Sequence, residues 1–287
     1  MPARDPYHAG EIEVQERVAV RAMAERIGRS IRAEIPPVAA EFLAGQRFAV
    51  LGWADGDGRV WASAVAGEPG ILQAAPSGAV LVRAAPAAGD PLGAASAGEM
   101  GLLAIDLAGR RRMRVNGWMS PVPGGFEIHP HQVYANCPKY IQAREQVAGP
   151  ARPGDAALSS SLVSAQADLI ARADTFFIAS YHPEGGADAS HRGGAPGFVR
   201  VQDGGLSWPD YKGNSMFQTL GNIAADGRAG LLFVDFDTGS TLQLSGSAAI
   251  SWDGERRVEF RVERVVEIAS ALPLRWRFID HSPFNPA

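Results

Sequence analysis

From Val18 to Gln46 the apolar residues Val18, Val20, Met23, Ile27 and Ile31, then Val38, Phe42 and Leu43, recur near helical spacing, and Pro36 and Pro37 interrupt the series. The pattern predicts two helices joined at the proline pair. Beyond Gln46 the period changes. "RFAVLGWADGDGRVWASAVAG" (47–67) sets β-rich runs around Asp-Gly-Asp-Gly, residues that tolerate positive φ, and so reads as a hairpin. "TFFIASYHPEGGADASHRGG" (175–194) has the same form, with His-Pro-Glu-Gly-Gly as its turn. Between them "SSLVSAQADLIARA" (160–173) predicts a helix capped at Ser160 or Ser161.

The likeness of the two hairpins extends into a repeat. Residues 48–72 align without a gap on 175–199, and six of those 25 positions are identical, among them Ser63/Ser190 and Gly67/Gly194. "GLLAIDLAGRRRMRVNG" (101–117) then aligns with "GLLFVDFDTGSTLQLSG" (230–246), sharing Gly101/Gly230, Asp106/Asp235 and Gly117/Gly246. Two blocks in the same order, with an offset that changes only from 127 to 129, argue for a duplicated unit of one short helix and about six strands. The organisation expected is an N-terminal helical segment (1–39), a first copy (40–135), a connector with a helix (136–164), and a second copy with a C-terminal tail (165–287). Gly149, Pro150, Pro153 and Gly154 mark the exposed part of the connector.

Composition narrows this picture modestly. The 33 glycines and 20 prolines suit a turn-rich β protein, and a formal charge of −4 gives no general attraction to nucleic acid or anionic membrane. Cys137 is the single cysteine, which excludes an intrachain disulfide and points to a reducing compartment. The N-terminal stretch has no basic region followed by an apolar one, and no run is long enough to cross a bilayer. A cytoplasmic protein without membrane or nucleic-acid partners is the expectation.

Common catalytic signatures are missing: there is no GxxxxGK[ST], HExxH or GxSxG, and no GxGxxG after a strand. His129 and His131 could present two imidazoles to a metal, but no third ligand is near in sequence, and a polar loop is the favoured reading, so no metal site is expected. In "GRRRMR", alternation would put Arg110, Arg112 and Arg114 on one strand face, either touching a nucleotide or, as favoured, facing solvent. The two copies differ in charge. Where the first has Val65, the second has Arg192, and the second alone has Lys212, beside Gly213 and Asn214. A guanidinium fork and an ammonium could converge there on a phosphate, with glycines letting backbone amides approach. A strand-edge arginine and an ordinary Lys-Gly-Asn turn account for the same residues.

"SHRGGAPGFVRV" (190–201), "LSWPDYKGNSMFQTLGNI" (206–223) and "GRAGLLFVDFDTGSTLQLSGSA" (227–248) resemble the pyridoxamine 5'-phosphate oxidase-like, FMN-binding split-barrel superfamily. "NCPKYIQAR" (136–144) is similar to a segment of a duplicated subgroup of its flavoproteins. The resemblance implies tandem six-stranded antiparallel split barrels of Greek-key type, mainly β with flanking helices, forming an intrachain pseudo-dimer with FMN between the barrels. It matches Arg192 and Lys212 to the family's phosphate-holding arginine and lysine. Gly193, Val199, Trp208, Pro209, Asn214 and Gln218 follow as lining by proximity, and Asn136, Lys139 and Tyr140 as contributions from the first copy. The implied activity is an FMN-dependent oxidoreductase acting on a small molecule, with an electron donor such as NAD(P)H and no assigned catalytic residue. An electron-transfer flavoprotein is the alternative, and family precedent raises a homodimer. "LRWRFIDHSPFNPA" (274–287) matches poorly the arginine-containing tail of true pyridoxamine phosphate oxidases, so that reaction is not expected.

Overall fold

The computed structural model describes residues 5–150 and 152–286; residues 1–4 and 287, the ends of the two terminal segments, lie outside it, as does Ala151 of the connector. The described chain is mainly β with five α-helices. It opens with α1 (Ala9–Arg17), α2 (Arg21–Gly28) and α3 (Pro37–Ala44). The helices expected around the proline pair are α2 and α3, but Val18 and Val20 lie outside them. Ala19 adopts a φ of 56°, which ends one helix and lets the next start in a new direction. The preceding helix, α1, was not expected.

Seven strands follow: β1 (Phe48–Ala54), β2 (Val60–Ala66), β3 (Leu72–Ala74), β4 (Val80–Val82), β5 (Gly98–Asp106), β6 (Arg111–Val122) and β7 (Gly125–Asn136). They pair in the order β2-β1-β5-β6-β7-β4-β3, as an antiparallel sheet curled into a half-barrel. Strands β2 and β3 are consecutive in the chain yet lie at opposite edges of the sheet. The connector contributes β8 (Ala143–Ala148) and β9 (Ala157–Ser159), then α4 (Ser164–Arg172). The cap of α4 is Val163, whose N–H donates to Gln166 Oε1 at 3.1 Å, so the expected serine cap gives way to a side chain reaching back from inside the helix.

The second half contains β10 (Thr175–His182), β11 (Gly186–Gly193), β12 (Arg200–Gln202), β13 (Gly205–Pro209), α5 (Gln218–Ala225), β14 (Arg228–Asp235), β15 (Ser240–Ser251) and β16 (Arg257–Ile268). Its path, β11-β10-β14-β15-β16-β13-β12, follows the order of the first sheet strand for strand, with seven strands where about six were expected. The registers agree as well. Gly52 faces Gly101 as Ala179 faces Gly230, and Gly101 faces Asn116 as Gly230 faces Ser245. A bulge falls at Asn116/Gly117 in one sheet and at Ser245/Gly246 in the other. The last strand, β17 (Leu274–Asp280), pairs with β8 and ties the C-terminal tail to the connector.

The shared glycines have physical causes. A Cβ on Gly117 would lie 2.0 Å from His129 O, and one on Gly246 1.9 Å from Arg261 O, so each bulge needs a residue without a side chain. A Cβ on Gly101 would lie 2.5 Å from Asp188 Cα, and one on Gly230 2.5 Å from Val60 O. These two glycines let the half-barrels approach backbone to backbone, β5 against β11 and β14 against β2. One apolar core cluster spans that junction, combining Phe48, Leu51 and Leu102 with Phe177 and Leu232; a second fills the second half-barrel around Phe176, Trp208 and Phe233.

Candidate functional site

The GRRRMR run lies at this junction. Arg110 is in the turn before β6 with a φ of 49°, and Arg111 is exposed beside Asp106. Arg112 and Arg114 share the other face of β6 and point across at β11. The expectation of a solvated face is overturned, because the second half-barrel covers it. Arg114 is 6% exposed and donates to both carboxylate oxygens of Asp188, at 3.0 and 3.1 Å. It also donates to Gln218 Oε1 at 3.3 Å and to Ser190 Oγ, which takes a second bond from Thr219 Oγ1 at 2.9 Å. Tyr134 Oη adds a bond of 3.3 Å to Asp188. This buried ion pair is hydrogen-bonded at both ends, the condition under which such a pair tolerates loss of water.

Above it opens a solvent-facing cleft with a cavity of about 90 Å³, small beside the usual small-molecule site. Its walls come from β6 and the segment after β7, from β11, and from the segment 209–220 that ends in the first turn of α5. Arg112 and Arg192 are its unneutralised charges: among the described residues no carboxylate lies within ion-pair distance of either. Arg112 donates from Nε to Cys137 O at 3.1 Å and from Nη1 to His191 Nδ1 at 2.8 Å, and Arg192 donates only to the neighbouring His191 carbonyl, at 3.1 Å. Burial lowers both guanidinium groups, Arg112 to about 10. His191, 3% exposed, is held well below the ordinary imidazole range, first by burial and then by the surrounding arginines. Phe217, which precedes α5, provides no side-chain cap, so the helix presents unsatisfied N–H groups where Gln218 and Thr219 line the cleft.

The strain in this region is local to the cleft. Tyr140, Ser215 and Phe217 all line it, and all are non-glycine residues with φ between 62° and 65°. Neighbours hold them in place. Gln15 of α1 donates to Met216 O at 2.8 Å, and the Tyr140 amide donates to Ser282 Oγ at 3.1 Å. The tail returns a bond from the Ser282 amide to Gln142 Oε1 at 2.8 Å. Across the rim, Tyr140 Oη donates to Lys212 O at 3.0 Å, and the Tyr140 and Tyr211 rings are 5.2 Å apart.

Of the residues expected from sequence, Arg192, Gly193, Pro209, Asn214, Gln218, Asn136 and Tyr140 are brought together around the cleft. Four are not. Lys212 is exposed at the rim in an irregular segment rather than on a strand, while Tyr211 and Gly213 beside it line the wall. Val199, in the bend before β12, and Trp208, on the inward face of β13, are each 1% exposed in the second core cluster, where Trp208 packs edge-on to Phe176. Lys139 stands over the Phe284 ring instead. Gly193 lines the cleft for a reason other than ligand approach: a Cβ there would lie 2.0 Å from Tyr140 O. Sequence reasoning missed His191 as a site residue and held Arg112 and Arg114 only in the less favoured reading of a ligand contact. The signal for the two arginines was the alternation in GRRRMR, read without knowing what covered the strand. His129 and His131 lie exposed on β7 and not in the polar loop expected, and among the described residues no group of three His, Cys, Asp or Glu could hold a metal. Among the described residues no helix is long and apolar enough to cross a membrane.

Residues 162–280, which contain β10 to β16 and the whole of α5, match the family model described as pyridoxamine 5'-phosphate oxidase. This segment belongs to the pyridoxamine 5'-phosphate oxidase-like superfamily. Similar solved structures include HupZ from Group A Streptococcus, at 16% identity over 36% of this chain and 92% of that one, with a TM-score of 0.31. A Lactobacillus delbrueckii protein provisionally named a pyridoxamine 5'-phosphate oxidase is 15% identical over 37% of this chain and 94% of its own, with a TM-score of 0.32. The FAD binding protein of Mycobacterium smegmatis is 11% identical over 40% and 98%, with a TM-score of 0.28. No curated protein matches the chain. Within the superfamily segment fall Arg192, the uncapped α5 terminus and the Tyr211–Lys212 side of the rim; Arg112, Arg114 and Tyr140 come from outside it.

Proposed function

We propose that this chain is a cytoplasmic flavoprotein built from two split barrels descended by duplication and packed as an intrachain pseudo-dimer. One FMN per chain is held in the cleft of the second half. The observation that carries the reading is the pair of guanidinium groups, Arg112 and Arg192, lacking carboxylate partners and sharing a cleft with an uncapped helix N-terminus. A phosphate monoester carries about −1.5 to −2 charges at neutral pH, which matches two free cations. The matching strand order, registers and bulges of the two sheets support the duplication, and the single cysteine supports a reducing compartment.

The residues present fit such a group. Asn136 Oδ1, Gln218 Nε2 and His191 Nε2 are buried polar atoms of lining residues with no protein partner, as expected where a polar ligand completes a network. Arg192 and the α5 amides would hold the phosphate, and Phe198, Pro209 and the Tyr140–Tyr211 pair supply apolar surface for a ring system. Lys212, at the rim, would reach the phosphate only if its segment turned inward. FMN supplies hydride and single-electron chemistry when bound. Arg112 and Arg192 then place positive charge near it and favour its more negative, reduced form, while the buried Arg114–Asp188 network fixes the wall behind. The activity proposed is an oxidoreductase acting on a small molecule with NAD(P)H or a similar donor. The tail from His281 to Asn285 is engaged with Gln142 and Tyr140, which agrees with a reaction other than pyridoxamine phosphate oxidation.

The visible spectrum of the purified protein, with FMN titration of the wild type and Arg192→Ala, tests this. Flavin bands and a loss of affinity of about tenfold to more than a hundredfold in the variant are expected, the worth of a charge-assisted bond. A colourless protein that takes up no FMN, or unchanged affinity in the variant, contradicts it. Reduction by NAD(P)H in stopped flow then separates an oxidoreductase from a carrier that receives electrons from a protein partner.

A further inference from the structure

We propose that His191 is the recognition group of the cleft for a hydrogen-bond acceptor on the bound ligand, presenting a neutral Nε2–H in a tautomer that Arg112 of the first half fixes. This rests on the flavin reading and names a role within that site that neither the superfamily match nor the phosphate argument assigns.

The tautomer follows from the partner. A guanidinium has donors only, and Arg112 Nη1 lies 2.8 Å from His191 Nδ1. Nδ1 must therefore be the acceptor, and the proton of the neutral ring must be on Nε2. That atom is buried and has no protein partner, in a residue that lines the cleft. A buried donor left unmade is costly, so an acceptor arriving in the cleft gains more here than it would from a solvated group. The ring is packed in place, with Phe177 edge-on against it and centroids 5.9 Å apart.

Burial and the charged groups around the ring keep it neutral. Burial contributes most; Arg112 and Arg192 then flank it from β6 and β11, and Arg114 and Arg144, ion-paired to Asp188 and Asp174, stand further out on β6 and β8. A second proton on Nδ1 would face the Arg112 guanidinium directly. The group is thus a neutral donor and not a general base, since its Nε2 is already protonated. A neutral imidazole of this kind polarises an acceptor without changing charge. The acceptors it suits are a carbonyl oxygen or an unprotonated ring nitrogen at the edge of a heteroaromatic ring. Arg112 acts through His191 as a positioning residue, which gives the first half a stake in a site that the family segment alone does not complete.

The experiment is ¹⁵N-histidine NMR on the full chain between pH 5 and 9, with and without FMN, FMN binding being read separately from the visible spectrum. His191→Gln assigns the His191 signals by difference. Expected in the wild type are Nε2–H signals that do not titrate over this range and a downfield shift of that proton when FMN binds. Arg112→Leu should let the ring exchange tautomers and titrate. His191→Leu should weaken FMN binding about tenfold, with His191→Gln, which keeps an N–H donor, recovering part of the loss. An Nδ1–H tautomer, titration of the wild-type ring, or FMN that binds without moving these signals overturns the His191 proposal and leaves the flavin reading standing. Absence of FMN binding removes the flavin reading and this proposal with it.

Discussion

The cleft has a counterpart in the first half, and the two places differ in almost every side chain while sharing their backbone. Where the cleft has Arg192, Arg112 and Asn136, the corresponding strand positions carry Val65, Thr241 and Ile268. Val65, Ile71, Ile268 and Leu272 there belong to the core cluster. Arg114, bonded to Asp188 and Ser190, corresponds to Gln243, which donates to Ala62 O and Ser63 Oγ, both at 2.9 Å. The connector lies against the counterpart. The Gly154 amide donates to Ala269 O at 3.0 Å, and a Cβ on Gly89 would lie 2.6 Å from the Ala156 Cβ. One junction of the two half-barrels is charged and open; the other is apolar and covered by the chain's own linker. A single fold thus supports an open, charged cleft or a packed core at equivalent positions, and the side chains on two strands decide which.

The comparison can be broken most forcefully by exchanging its two defining residues. Val65→Arg puts an unpaired cation among apolar side chains and is expected to cost more than about 4 kcal/mol, or to prevent folding, without creating a flavin site. Urea unfolding measures the first and FMN titration the second. Asp188→Ala leaves the Arg114 charge buried alone and should cost about 3 to 5 kcal/mol of stability. Gln243→Leu, the neutral equivalent of breaking the Arg114 end, should cost about 1 to 2 kcal/mol. Equal losses at the two places would mean that the charge pair has no special weight.

A third test uses Asp90, which accepts from Ser63 Oγ at 2.7 Å where Thr219 serves Ser190 in the cleft. Burial raises its carboxyl from the ordinary 3.8 to about 6. The folded state therefore favours the protonated form. The stability this contributes is fully present below about pH 4 and is lost as pH rises through about 6. Asp90→Asn keeps an acceptor for the Leu92 amide and removes the titration. Its stability should match the wild type near pH 4 and exceed it by about 3 kcal/mol at pH 7. No pH-dependent difference would show that water or movement relieves the buried carboxyl. The mildest exchange for the fold is Arg192→Val, which removes an unpaired, half-buried charge. Thermal stability should hold or rise while FMN affinity falls tenfold or more.

Much of this architecture was legible in the chain because local chemistry and tertiary demand agree. Asp-Gly-Asp-Gly and Pro-Glu-Gly-Gly specify their hairpins, and the shared Gly101/Gly230 and Gly117/Gly246 record where backbones touch and where strands bulge. What sequence could not show was the covering of surfaces. Alternation put Arg112 and Arg114 on one face correctly, but only the packing of β11 over β6 turns that face from solvent to cleft. Trp208 and Val199 were misplaced for the converse reason, since proximity in sequence to Arg192 and Lys212 says nothing about which side chains turn into the core. The serine cap of α4 failed because Gln166 offered a better-placed acceptor from within the helix.

The proposed flavin site occupies one junction and not its counterpart. The direct measurement is the stoichiometry of FMN bound per chain, obtained by titrating the deflavinated protein with its concentration fixed by amino-acid analysis. One FMN per chain in the wild type, strongly weakened by Arg192→Val, is the predicted result. Two per chain, or one whose affinity ignores Arg192, would contradict it.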